Sequence, residues 1–134
     1  MNIIFPKKLY SPVIPLGISI KDGLEILSTL GTPELEKTGE DISYRINTPE
    51  FDVAIHEEDG FVKSVWYNDP LGRIWKFGKQ RKIRLYLERY GNKKDWELRM
   101  NNGWMEYYFN EKSNAAMVYG LHKDVIRFNV WQGA

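Results

Sequence analysis

Ser19-Ile-Lys-Asp-Gly-Leu-Glu-Ile-Leu-Ser-Thr-Leu-Gly31 is the stretch from which the fold is read. Ile20, Leu24, Leu27 and Leu30 recur at helical spacing and share one face. Ser19 stands where a side-chain oxygen can accept from a free backbone amide, and Asp22 three residues on resembles a capping box. Gly31 offers a left-handed stop, and Pro33 blocks continuation. Strand-like sequence follows at Ile42–Ile46, Phe51–Ile55 and Phe61–Tyr67. The last two flank Glu57-Glu58-Asp59-Gly60, whose Asp59-Gly60 pair is a strong hairpin signal.

The same order returns downstream. Ile83, Tyr86, Leu87 and Tyr90 form a second helical stripe, and Gly91 ends it 60 positions after Gly31. Strand-like runs follow at Trp96–Met100, Trp104–Phe109, Ala115–Tyr119 and Val125–Trp131, with Asn102-Gly103 and Asn110–Asn114 as turns. The expected fold is therefore α+β: two α-β-β-β repeats, at about residues 16–68 and 80–131, forming one antiparallel sheet with both helices on one face. Pro70, Gly72 and Gly78 mark residues 69–79 as a linker. Pro6, Pro12 and Pro15 make residues 1–16 an extended arm. Helices on one face would leave the other open.

All 134 residues fit one domain, large enough for a core without staples. There is no Cys, so no disulfide, thiolate metal site or Cys nucleophile exists. The start, Met1 to Lys8, lacks the apolar run of a signal peptide, and no stretch approaches a membrane span. A cytoplasmic protein is the expectation. Aromatic residues make up 14% of the chain, enough for a ring-built core or a ring-rich binding surface.

Charge is divided along the chain. Residues 1–70 hold 6 of the 19 Lys and Arg and 12 of the 18 Asp and Glu, while residues 71–134 hold the other 13 bases and 6 acids. Such asymmetry bears on partners rather than on fold. The acids gather at Glu40, Asp41, Glu57, Glu58, Asp59 and Asp69, and they read either as solvated turns or as a docking surface for a basic protein. The bases run from Arg73 to Arg99, interleaved with Trp75, Phe77, Tyr86, Tyr90 and Trp96. Cations beside rings suit single-stranded nucleic acid, whereas the stripe at Ile83, Leu87 and Tyr90 reads as core.

His56 and His122 fall near strand ends in the two repeats and read as ordinary polar residues rather than a metal or acid–base pair. No hydrolase, phosphate-loop, dinucleotide or zinc motif occurs. The expectation is a protein without enzymatic activity, cofactor, metal, small-molecule substrate or membrane partner.

The segment Leu16 to Pro33, with the later Asp59-Gly-Phe-Val-Lys-Ser-Val65, is similar to the helix–Gly-x-Pro–strand–Asp-Gly-x-Val unit of small outer-membrane assembly lipoproteins and β-lactamase inhibitor proteins. That resemblance implies two units making one sheet whose open face grips a protein. In type, a small, Cys-free, charge-polarised chain also resembles bacterial toxin-immunity proteins, including those of contact-dependent growth inhibition systems. This likeness implies a cytoplasmic stoichiometric inhibitor that covers the active site of a cognate toxin domain, such as a nuclease. The partner-binding set is then Glu40, Asp41, Glu57, Glu58, Asp59 and Asp69, with Trp66 and Tyr67 as aromatic anchors. The alternative is a nucleic-acid-binding module using residues 73–99.

Overall fold

The computed structural model describes residues 13–48, 52–70, 75–122 and 125–133, with the backbone alone at 69–70, 75–79 and 122. Helix α1 (Ile20–Ser28) precedes strands β1 (Glu34–Thr38), β2 (Asp41–Asn47), β3 (Asp52–Glu58) and β4 (Phe61–Pro70). Helix α2 (Trp75–Arg89) and a short 3₁₀ turn (Lys93–Asp95) precede β5 (Trp96–Asn101), β6 (Met105–Asn110), β7 (Ala115–His122) and β8 (Val125–Gln132).

All eight strands join one antiparallel sheet in the order β1-β2-β3-β4-β8-β7-β6-β5. This corrects the expected α-β-β-β pair with both helices on one face: the fold is dominated by its sheet, with 57 of the described residues in strands against 24 in the two short helices. The strand absent from the expectation is β1. All five of its residues, Glu-Leu-Glu-Lys-Thr, are exposed, so it carries no buried alternation to read. It is an edge strand, and its charges discourage pairing with another chain.

Local chemistry explains the helix ends. Ser19 Oγ accepts from the Asp22 amide at 3.1 Å, as an N-cap should. At the other end the cap is Thr29, whose hydroxyl donates to the Ile26 carbonyl at 2.6 Å. The helix is thus closed two residues before Gly31. The expected linker shrinks from both sides, because β4 runs to Pro70 and α2 passes through Gly78. The remainder of that linker, and the arm as far as Pro12, lie outside the described residues.

Asp59 and Gly60 both take left-handed backbone, φ 54° and 84°, and make the β3–β4 hairpin turn expected of that pair. Gly91 combines φ 145° with a close approach, since a Cβ there would lie 2.8 Å from Asn110 Nδ2.

Alternate residues of the central strands build one core. Val53, Ile55, Val65, Tyr67, Met117, Tyr119, Phe128 and Val130 are all buried, as are Leu27 of α1 and Ile83, Tyr86 and Leu87 of α2. Gly23 of α1 lies against Val62 and Ile55. Tyr86 packs against Tyr67 and Phe128. Trp96 donates its indole N–H to the Leu87 carbonyl at 2.9 Å, tying α2 to β5.

Candidate protein-binding face

Strand residues alternate between faces, so the buried set fixes what the other face shows. In β8, Ile126, Phe128 and Val130 are buried, and Arg127, Asn129 and Trp131 point the other way. In β4, Val65 and Tyr67 are buried, and Trp66 between them stands 42% exposed. These two strands are neighbours at the sheet centre, with Ser64 opposite Trp131, Trp66 opposite Asn129 and Asn68 opposite Arg127. Trp66 therefore has Trp131 and Arg127 as diagonal neighbours, within reach of long side chains.

Two hollows open on this face. One, of ≈ 300 Å³, is lined by Glu36, Ser43, Arg45, His56 and Asn68. The other, of ≈ 280 Å³, is lined by Met105, Val118, Gly120, Asn129 and Trp131. Trp66 and Arg127 line both, so the hollows are a polar and an apolar half of one groove. Tyr107 extends the apolar half, its ring 6.0 Å from that of Trp131. The hydrophobic Trp104, Met105 and Met100 are exposed on and around the β5–β6 hairpin.

The charges within the groove are unequally satisfied. Arg45 clamps Asp52 with two hydrogen bonds, 2.9 Å from Nε and 3.0 Å from the terminal nitrogen. That pairing raises the Arg45 pKa against the lowering effect of burial, and Glu36 and Glu34 add to the rise. Outside the groove, on β5, Arg99 lies 3.7 Å from Glu97 and 4.2 Å over the Phe109 ring. Arg127 is exposed and has no carboxylate partner among the described residues. Asn68 donates to Asp52 at 3.1 Å, but its amide oxygen is buried without a donor. The Asn129 amide oxygen is in the same state. An unsatisfied buried acceptor costs about 1–3 kcal/mol.

The acidic residues meet at one end of the sheet. The β1–β2 and β3–β4 turns lie side by side because Ile42 pairs with Glu57, which gathers Glu40, Asp41, Glu57, Glu58 and Asp59. His56 Nε2 approaches Asp41 at 3.9 Å and Lys63 approaches Glu58 at 4.0 Å, contacts too long and exposed to hold the carboxylates firmly. The ion pairs Arg45–Asp52, Lys63–Glu58, Arg99–Glu97 and Lys112–Asp95 each join residues of the same half of the chain. The acidic excess belongs to β1–β4 and their turns, residues 34–70, with 10 Asp and Glu against 3 Lys and Arg. Residues 96–132, which carry β5–β8, are balanced at 4 and 4, and the basic excess lies at residues 73–94, in and around α2.

Trp66 stands five residues along β4 from Phe61, about 17 Å from the acidic end. Both lie within one standard footprint of about 800 Å² per partner.

Of the expected contact set, then, five carboxylates cluster and Trp66 lies on the open face. Tyr67 does not belong with them. It is 2% exposed and its hydroxyl lies 2.6 Å from that of Tyr90, because successive strand residues cannot face the same way. The Asp69 backbone pairs with Ile126, while its side chain lies outside the described residues. Arg127, Asn129, Trp131 and Gly120 were missing from that set. The alternation of Ile126, Phe128 and Val130 was the available signal for the first three.

The two histidines stay apart. His56 is in β3 and His122 ends β7, three strand spacings across the sheet and about six residues further along it, a separation of roughly 24 Å. The His122 side chain lies outside the described residues, among which no group of three His, Cys, Asp or Glu could hold a metal.

In the basic segment, Tyr86 and Trp96 are buried, and the Tyr90 hydroxyl donates to the Ile14 carbonyl at 3.0 Å. Arg89 lies over the rings of Tyr67 and Tyr86. Trp75 and Phe77 have side chains outside the described residues.

No family model, curated protein or solved structure matches the chain.

Proposed function

We propose that this chain is a stoichiometric binding protein without chemistry of its own, which closes the open face of its sheet over a partner protein. The partner is a basic toxin domain, such as a nuclease, and the chain serves as its immunity protein in the cytoplasm. The observation that carries the reading is the groove divided by Trp66 and Arg127, the residue types most enriched at binding hot spots, beside a cluster of five carboxylates. The rings anchor, and the carboxylates steer a positively charged partner toward them.

Nucleic-acid binding through residues 73–99 draws less support. Tyr86, Tyr90 and Trp96, three of the rings that would stack on bases, are engaged in the core.

The test is protection. Candidate toxin domains encoded near this chain are expressed in cells with and without it, and complex formation is followed by size-exclusion chromatography. The chain should restore growth and form a 1:1 complex. A Trp66→Ala/Arg127→Glu double variant, with an unchanged melting temperature, should do neither. Failure of the parent chain to protect or to bind would sink the proposal.

A further inference from the structure

We propose that the partner meets this face with an acidic side chain against Arg127 and with an apolar side chain, one or two residues away on the same extended segment, in the hollow over Val118 and Gly120. This inference rests on the open face being the contact surface and adds which side chains that face reads.

Arg127 is the guanidinium of this groove that lacks a carboxylate among the described residues, whereas Arg45 has Asp52. Water satisfies it in the free protein, where it is exposed. Any partner that covers the groove removes that water, and a covered guanidinium left unpaired is strongly unfavourable. The partner must therefore bring an anion, and a carboxylate matches the planar fork with two parallel hydrogen bonds. A phosphate backbone would bring many charges and would lie across Glu36 and the neighbouring Asp41, which repel it. One carboxylate on a polypeptide fits the single cation better.

The apolar half explains the second side chain. Gly120 sits directly opposite Arg127 on the adjacent strand, with Met105 opposite it on the other side. The missing side chain leaves a depression walled by Met105, Val118, Trp66 and Trp131. Those walls offer rings, methyl groups and a thioether, with Arg127 at the polar edge. Val118 and Gly120 are two residues apart, so the depression and Arg127 lie within about 7 Å. That matches one or two residues of extended chain.

The experiment uses a random nonapeptide display library panned on the full chain, with selected peptides then made synthetically. Enriched sequences should carry Asp or Glu within two positions of Leu, Met, Phe or Trp. Each peptide should bind Arg127→Gln and Gly120→Val at least tenfold more weakly, and Arg127→Glu should instead accept the peptide with Lys at the acidic position. Gly120→Val projects side-chain carbon into the depression, and its melting temperature is compared with that of the parent chain. A Cβ there meets nothing closer than the Trp104 carbonyl at 3.8 Å, and its φ is not in the left-handed region.

Peptides that need Trp66 but show no acidic residue would overturn this inference and leave the face as the contact surface. Enrichment of nothing, or of peptides indifferent to Trp66→Ala, would overturn both. Displacement of the peptides by a single-stranded oligonucleotide, lost in Arg127→Gln, would overturn it in favour of phosphate.

Discussion

Tyr86 of α2 lies on Phe128 of β8, with ring centroids 3.9 Å apart and planes 19° from parallel. Both rings are essentially buried, at 1% and 0% exposure. Phe128 also meets Tyr119, and Tyr86 meets Tyr67 at 5.1 Å, so this stack fastens α2 to the two central strands. Those strands also carry Trp66 and Arg127 on their opposite face. Phe128→Ala should cost about 3–5 kcal/mol, the usual loss for a buried ring with incomplete collapse. Urea denaturation followed by far-UV circular dichroism reads it. A loss below about 1 kcal/mol would mean that the stack does not hold the helix down.

Gly23 allows α1 to approach the sheet. A Cβ at that position would lie 2.7 Å from Val62 Cγ2 and 3.3 Å from Ile55 Cδ1, both buried. Ala in a helix interior is worth about 1 kcal/mol over Gly. Overpacking a tight core site costs about 1–3 kcal/mol. Clash should therefore win, and Gly23→Ala should be net destabilising despite the better propensity. Val62→Ala makes room, so in the double variant the Gly23→Ala change should turn neutral or favourable. A double-mutant cycle of melting curves measures that coupling, and additive losses would contradict the close contact.

Alkaline pH should unfold this protein through its tyrosines. Burial raises the pKa of Tyr67 and, more strongly, of Tyr90, whose hydroxyls are paired with each other. Burial also raises Tyr108 and Tyr119, with Glu106 adding through hydrogen bonds and charge. In the unfolded chain these groups ionise near their ordinary value of about 10. A raised native pKa contributes stability that is fully present below that pH and is lost as pH rises toward the native values. Melting temperature should thus hold up to about pH 10 and fall steeply beyond it. Phenolate absorbance should show a shallow early titration and a cooperative late step coinciding with unfolding. Glu106→Gln should soften the late step without abolishing it, because burial is the larger cause at Tyr108 and Tyr119. A titration with all tyrosines ionising together near pH 10 in the folded state would rule this out.

What the sequence made legible follows its periodicities. Ser19 announced the start of α1, Asp59-Gly60 announced a hairpin, and the stripe at Ile83, Tyr86 and Leu87 announced α2. Strand β1 was invisible because an exposed edge strand needs no apolar side chain. Composition does not say which face of β4 is packed, but period two forbids Trp66 and Tyr67 from serving together as exposed anchors, and Tyr67 is the buried one. The groove itself was out of reach. It is made by residues far apart in sequence, such as Arg45, Trp66 and Arg127, which become neighbours only because β4 pairs with β8 at the centre. The clustering of Glu40 and Asp41 with Glu57–Asp59 likewise depends on the β2–β3 register.

Reversing charge at that cluster separates steering from anchoring. Glu58 is exposed and Glu57 partly so, and the nearest described cation to Glu58, Lys63, is 4.0 Å away. A Glu57→Lys/Glu58→Lys variant should therefore change stability by no more than about 0.5 kcal/mol. Its effect should fall on the encounter with a basic partner, because a field acts before contact is made. At low salt the association rate should drop about tenfold or more, while dissociation stays nearly the same. Near physiological salt the Debye length shrinks to about 8 Å, and the difference between parent and variant should narrow. Trp66→Ala should behave in the opposite way, with an unchanged association rate and faster dissociation, since a buried ring acts only once the complex has formed. Stopped-flow association and surface-based dissociation with a partner obtained in the protection test, at two salt concentrations, distinguish the two effects. Equal association rates for the parent and the charge-reversed chain at low salt would remove the acidic end from the interface and leave the groove to carry recognition alone.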